Sequence, residues 1–351
     1  MTQRNLLLVS GAIDPQRAAQ IEAGERPRAD YFEIAREIQA DILDYGQMRR
    51  TQGVVGRLLD RLSANLALAW AAWQRRRRYR LILSDGEQVG IPLAVLTRFS
   101  RRRPKHIMIV HILSVGKKIR FFDLFRIQNQ IDRYVVYSTW QKRFIQERLG
   151  IPPERVVWSP FQADGEFFKP LPDIAPRRMI AGAGLEFRDY PTLLEAVRGL
   201  DVEVVLAAAS PWSKRADTTA DQNIPPNVTV QRFDLFELRR VYAEAMFVVV
   251  PLYEVNFQAG VTTILEAMAM GKAVVVSRTP GQTDVIVQGE TGLYVPPADP
   301  AAMRETIRHL LDHPEEARRM GANARRALEE KFSLDVYVRG LGKLAREVGG
   351  A

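Results

Sequence analysis

The sequence predicts an α/β protein made of two doubly wound parallel-sheet domains in tandem. Three observations carry this. Short apolar runs alternate with amphipathic helical segments, the same pattern restarts in the second half, and the charge balance changes between the halves. Apolar runs at 6–9, 81–84, 107–111 and 134–137 have the length of strands buried on both faces. Strands joined through helices run parallel, because a parallel pair needs a long crossover.

Each element has its own justification. Residues 31–45 place Ile34, Ile38 and Ile42 four apart, which predicts a helix there. Residues 140–149 read as a helix stopped by Gly150, with Pro152 and Pro153 just beyond. Residues 156–172 hold three prolines and little periodicity, as expected of a linker. The pattern then restarts with strands expected at 179–183, 202–207, 247–251 and 273–277, and helices at 192–199, 235–245 and 261–270. Pro191 suits a first helical turn and Gly271 suits the position just past a helix end. Helices at 300–311 and 314–331 follow, then an amphipathic piece at 333–348. The domains expected are 1–168 and 169–332, with 333–351 crossing back to the first.

Of the 351 residues 46% are hydrophobic and 26% charged, which excludes a disordered or fibrous chain. With no cysteine there is no disulfide framework, thiolate metal site or cysteine nucleophile, and four histidines leave little for a metal centre. The net charge of +9 points to an anionic partner. It is concentrated: residues 1–169 carry 29 Lys/Arg against 17 Asp/Glu (+12), and residues 170–351 carry 21 against 24 (−3). No secretory signal and no apolar run long enough to span a bilayer is visible, so a cytoplasmic protein is expected.

The stretch 258–297 is the most informative. Gln258-Ala259-Gly260 leads from a strand and short loop into a helix beginning near Val261, and a glycine there lets backbone amides approach an anion that the helix dipole also favours. Thr262 and Thr263 add hydroxyls at the same end, and Glu266 follows one turn into the helix. From spacing alone, these residues serve a ligand or merely support the helix start.

The run Glu266-Ala-Met-Ala-Met-Gly-Lys-Ala-Val-Val-Val-Ser277, followed by Gly281, Asp284, Gly289, Thr291-Gly-Leu-Tyr-Val-Pro296 and Asp299, resembles the C-terminal domain of family 4 retaining glycosyltransferases. Met320-Gly321, Ala324-Arg325 and Phe332-Ser333 fit the same family, as do Val135-Val-Tyr-Ser-Thr-Trp-Gln-Lys and Leu149-Gly-Ile-Pro-Pro-Glu-Arg-Val156. The likeness runs from Tyr79 onward, and the first 78 residues match in outline. It implies the GT-B fold, two Rossmann-like domains facing a cleft, and transfer of a sugar from a nucleotide-diphosphate-sugar to a lipid or glycan acceptor with retention of configuration. The nucleotide sugar is then a substrate, with no cofactor and no metal.

The resemblance also implies roles. Glu266 inherits the glutamate that binds the nucleotide ribose, a diol that suits a carboxylate. The partner glutamate eight residues earlier is here Gln258, which keeps hydrogen-bonding capacity but loses the charge, and Glu254 is a possible substitute. That departure supports the alternative of a non-catalytic sugar-nucleotide or glycan-binding subunit. In the stretch 179–189, Gly182-Ala-Gly184 occupies a second landmark, and Arg188 as its one interior cation is the candidate phosphate clamp. His111 is expected at the donor sugar. Asp85 and Glu87, after another strand, are candidates for acceptor hydroxyls, although Asp85-Gly86 also suits a plain turn, and Ser10-Gly11 is expected to line the cleft. Arg75–Arg78 near Trp70 and Trp73, Arg101–Lys105 after Phe99, and Lys117–Arg126 with Phe121, Phe122 and Phe125 suggest peripheral docking on the anionic inner face of a membrane. No nucleic-acid signature accompanies the charge.

Overall fold

The computed structural model describes residues 4–207 and 223–350. The chain divides into two units. One comprises Met1–Ile21, Arg28–Ser159 and Tyr337–Ala351, and the other Glu22–Pro27 and Pro160–Val336.

The first unit holds one six-stranded sheet: β1 (Arg4–Leu8), β2 (Ala40–Leu43), β3 (Tyr79–Ser84), β4 (Lys105–Val110), β5 (Arg133–Val136) and β6 (Val156–Trp158), in the order β2-β1-β3-β4-β5-β6. The second holds β7 (Met179–Ala183), β8 (Glu203–Ala207), β9 (Val228–Gln231), β10 (Phe247–Val250), β11 (Ala273–Ser277) and β12 (Gly292–Val295), in the order β12-β11-β10-β7-β8-β9. All pairings in both sheets are parallel.

Both faces of each sheet are buried. In the second unit Met179, Ala181, Ala183, Val248, Val250, Val274 and Val276 enter one cluster, while Ile180, Phe247, Val249, Ala273 and Val275 enter the other. Side chains alternate across a strand, so apolar residues at every position are what a sheet covered on both sides requires. The order reverses between β1 and β3 in the first unit and between β7 and β10 in the second. Open α/β sheets accept ligands outside the carboxyl ends of strands at such a reversal.

Several expectations need correction. The helix expected at 31–45 ends at Glu37, Gln39 turns with φ 51°, and Ile42 lies on the edge strand β2. The three isoleucines satisfy helical spacing, but Ile42 pairs opposite Leu7. The linker expected from 156 opens instead with β6, a three-residue edge strand on β5. Strands β9 and β12 were not foreseen. Both are edge strands with exposed or half-buried positions, so neither shows a continuous apolar run. The helix expected at 314–331 is α-helical over Pro314–Ala327 and continues as a π-turn over Leu328–Phe332.

Candidate functional site

In the second unit the reversal point is built around Arg188. Strand β7 ends at Ala183, Gly184 turns with φ +90°, and Asp189 caps the helix Tyr190–Val197 by accepting from the Thr192 amide. Arg188 lies between, with its backbone bridged to Leu252 just after β10. Its side chain is only 5% exposed. Nε donates to the Ala183 carbonyl at 2.9 Å, Nη1 to the Glu186 carbonyl at 3.0 Å, and Nη2 to Thr263 Oγ1 at 3.0 Å.

Two glycines make room for that guanidinium. A Cβ on Gly184 would sit 2.6 Å from Arg188 Nη2, and one on Gly260 would sit 2.9 Å from Val250 Cγ1 and 3.3 Å from Arg188 Nη1. Both carry positive φ, a conformation that glycine adopts without cost. Burial lowers the Arg188 pKa, opposed by Tyr190, Tyr242 and the carboxylate of Glu266. Among the described residues no carboxylate reaches ion-pair distance of Arg188. A guanidinium stays charged throughout, so the unit buries a positive charge without a direct counter-ion.

The helix Val261–Ala269 begins at Gly260 and no side chain caps it. Val261 and Thr263 are buried, Thr262 is exposed, and Thr263 also donates to the Ala183 carbonyl at 3.3 Å. Glu266 follows one turn after Thr263, buried, and accepts from the Tyr242 hydroxyl at 3.2 Å. Burial pushes its pKa up to about 7, against the opposing effects of the Tyr242 hydrogen bond and the Arg188 charge. Thus Gly184, Arg188, Gly260, Val261, Thr263 and Glu266 come together at one strand reversal. Gln258 lies half-buried in the loop before, its amide nitrogen and oxygen both shielded and without a partner among the described residues. Glu254 is exposed.

Two supporting residues gave no signal of their role in sequence. Tyr242 comes from the helix Leu235–Glu244, and Lys272 caps the end of that helix by donating to the carbonyls of Ala243 and Ala245, each at 2.8 Å.

In the first unit the corresponding reversal gathers carboxylates. Asp85 follows β3. Its Oδ2 accepts from the Ser10 amide at 2.8 Å, and its Oδ1 is shielded, without a partner among the described residues. Burial raises its pKa to about 6, opposed by the Ser10 hydrogen bonds and by His111. Asp30, whose place in the sequence marks no site, also has its pKa raised by burial and interacts electrostatically with Asp85 and His111. His111 has an exposed ring whose Nε2 lies 2.6 Å from the Asp85 carbonyl. A carbonyl only accepts, so that contact holds the proton on Nε2 and leaves Nδ1 of the neutral ring as an acceptor.

Glu87 does not present a free carboxylate. It is 1% exposed and accepts from the amides of His111 at 2.8 Å and Ile112 at 3.0 Å and from Lys118 Nζ at 2.6 Å. Burial raises its pKa, but Lys118, His111 and the amide bonds outweigh it, and the net shift is downward. Its carboxylate holds the His111 loop, which Gln141 also grips through the His111 carbonyl. Gly11 is tied into the turn after β1 by the Tyr45 amide at 2.9 Å, with open space where a Cβ would stand.

The basic runs are partly consumed by the fold. Arg76 stacks 4.1 Å over Trp73, Arg103 and Lys105 pair with Asp132, and Lys118 pairs with Glu87. Phe122 is buried, whereas Phe99, Phe121 and Leu124 are exposed. Among the described residues no group of three or more His, Asp or Glu is arranged to hold a metal, and no helix is long and apolar enough to cross a membrane.

Residues 181–313 match the family model for Glycosyl transferases group 1. The chain is 31% identical over 218 residues to the MMP alpha-(1->4)-mannosyltransferase of Mycolicibacterium hassiacum, covering 59% of this chain and 52% of that protein. It is 30% identical over 157 residues to the D-rhamnosyltransferase WbpZ of Pseudomonas aeruginosa, covering 44% and 41%. The chain therefore spans about half the length of these curated relatives. Sucrose-phosphate synthase from Thermosynechococcus elongatus superposes with a TM-score of 0.72 at 18% identity, covering 98% of each chain. Anabaena Alr3699/HepE in complex with UDP and glucose superposes at 0.70 and 14% identity, over 97% of this chain and 99% of that one. Two six-stranded parallel sheets with these neighbours give the chain the fold of GT-B glycosyltransferases, with a Glycosyl transferases group 1 domain at residues 181–313.

Proposed function

We propose that the protein is a retaining, metal-independent glycosyltransferase using a nucleotide-diphosphate-sugar donor and a lipid or glycan acceptor. The observation that carries this is the buried Arg188 guanidinium, without a carboxylate partner among the described residues, beside a helix start that no described side chain caps, at a strand reversal. Such a place favours a doubly charged phosphate group, and the Anabaena neighbour with UDP bound supports a nucleoside diphosphate as the ligand.

In this reading Arg188 and the amides at Gly260, Val261 and Thr262 hold the diphosphate, with Thr263 orienting the guanidinium. Glu266 accepts from the ribose diol. The donor's C1–O bond to the β-phosphate breaks, a new bond forms from C1 to the acceptor oxygen on the same face, and the acceptor proton leaves with the departing phosphate. No protein base is then required, and Arg188 supplies positive charge where the leaving group gains negative charge. The free amide of Gln258 hydrogen-bonds the sugar. His111 Nδ1 accepts from a sugar hydroxyl, Asp85 and the Gly11 turn receive acceptor hydroxyls, and Glu87 positions the His111 loop. The protein works in the cytoplasm or at the inner face of a membrane, through its basic first unit.

A second reading, a non-catalytic binding subunit, is favoured by Gln258, which carries no charge to stabilise a cationic transition state. Transfer and hydrolysis assays with UDP-, GDP- and ADP-sugars, alongside thermal shifts with the nucleotides, separate the two. Turnover with any donor supports the transferase. Stabilisation by a nucleotide without turnover over a panel of acceptors supports the subunit, and no stabilisation by any of them removes both.

A further inference from the structure

The helix Val54–Leu62 lies in the first unit between β2 and β3, and among the described residues nothing covers its apolar face. Val54 is 66% exposed, Val55 49%, Leu58 55% and Leu62 77%. At 100° per residue these four fall within an arc of about 100°, one continuous stripe along the helix. Gly56 and Leu59 lie on the other side, and Leu59 packs against the core cluster that includes Leu68 and Leu93. The inner face thus already has its partner, and the outer one has none among the described residues.

Charge decides what covers it. Arg57 and Arg61 are exposed and border the apolar stripe on one side. The helix has one acidic residue, Asp60, whose carboxylate is half-buried and engaged by Arg49, Nε donating to it at 3.0 Å. Every exposed residue of the helix is therefore apolar or cationic. A second copy meeting this face across a two-fold axis would bring the arginines of both copies to one interface, whereas an anionic lipid surface complements the stripe and its border together.

We infer that the helix Val54–Leu62 is an interfacial membrane anchor, lying in the plane of an anionic bilayer with Val54, Val55, Leu58 and Leu62 in the acyl boundary and Arg57 and Arg61 at the phosphates. This deepens the membrane side of the proposed function and rests on it for its biological setting, but it is independent of whether sugar is transferred.

Vesicle flotation of the full chain tests it, using phosphatidylcholine alone and phosphatidylcholine mixed with phosphatidylglycerol. The wild-type chain should float with the anionic vesicles and not with the neutral ones, and high salt should weaken the association. Leu58→Asp/Leu62→Asp should reduce partitioning by more than about tenfold, and Arg57→Glu/Arg61→Glu by about thirtyfold or more, at roughly fivefold per cation removed. Leu58→Ser/Leu62→Ser provides a milder pair if the aspartates disturb folding, which melting curves report. Absence of wild-type flotation, or equal flotation of all variants, overturns the inference. So does a concentration-dependent dimer that the leucine variants abolish and that does not bind vesicles. Nucleotide-induced thermal shifts on the same samples report the donor-site reading separately, so failure of one leaves the other legible.

Discussion

At the carboxyl end of β7 a single guanidinium is buried with no carboxylate in ion-pair range among the described residues, while at the carboxyl end of β3 stand two acids, the half-buried Asp85 and the buried Glu87, with Asp30 close enough to act on Asp85. The two sheets are both parallel, and each reverses its strand order at the place described. What differs is the loop that follows the strand. In the second unit two glycines with positive φ admit Arg188 into the turn. In the first unit Ser10 and the His111 loop supply amides that hold carboxylates. On the proposed function, the scaffold sets where a ligand would sit and the charge of the loop residues sets which one: an anion in the second unit, a hydroxyl-bearing group in the first.

The largest effect expected falls on Arg188. Replacing it with Ala should weaken nucleoside diphosphate binding by about a hundredfold, read by calorimetry, because truncating a buried charged partner costs about 2–5 kcal/mol. Arg188→Lys should recover little, since a lysine cannot donate to Ala183, Glu186 and Thr263 at once. Unchanged affinity in both would erase the contrast between the units.

Next come the two acids with raised pKa values, one in each unit. A carboxyl whose pKa is higher folded than unfolded binds more protons in the native state, so stability falls as pH rises between the two values. For Glu266 that window runs from 4.5 to about 7, and Glu266→Gln should remove a loss of up to about 3 kcal/mol at pH 8. The same substitution should weaken nucleotide binding by about tenfold through the lost ribose contact. For Asp85 the window runs from 3.8 to about 6, and Asp85→Asn should likewise flatten the pH dependence of denaturant midpoints, by a slightly smaller amount. It should leave nucleotide affinity unaltered. An equal effect of both substitutions on the nucleotide would show that the two sites do not divide the ligands as described.

The smallest effect sharpens the comparison through the backbone. Gly184→Ala and Gly260→Ala each place a methyl against the Arg188 pocket at positive φ, and each should cost at least about 2 kcal/mol of stability in chemical denaturation. Gly11→Ala meets nothing within 4 Å in the first unit and should cost less than either.

Much of this was legible in the sequence because it rested on local spacing. The elbow from Gln258 to Glu266, the glycines around Arg188 and the strand ends bearing Asp85 and His111 all sit where alternation of apolar runs puts them. What escaped depended on distant partners. Ile42 obeys helical spacing yet pairs with Leu7 in a sheet. Glu87 reads as a free acid in a turn until Lys118 and the His111 loop close on it. The uncovered stripe on Val54–Leu62 is equally consistent with a core face, since sequence gives a helix its amphipathicity and not its neighbours. Arg188 was expected at a helix start, and its near-complete burial follows only once Gly184 and Gly260 are seen to face each other across it.

Whether the second unit holds a diphosphate through Arg188, as proposed, is decided by a crystal structure of the protein with UDP or GDP. Phosphate oxygens within hydrogen-bond distance of the Arg188 guanidinium and of the amides after Gly260, with the ribose diol on Glu266, are the predicted result. A bound nucleotide whose phosphates lie elsewhere, with Arg188 still engaged only by Ala183, Glu186 and Thr263, would contradict it.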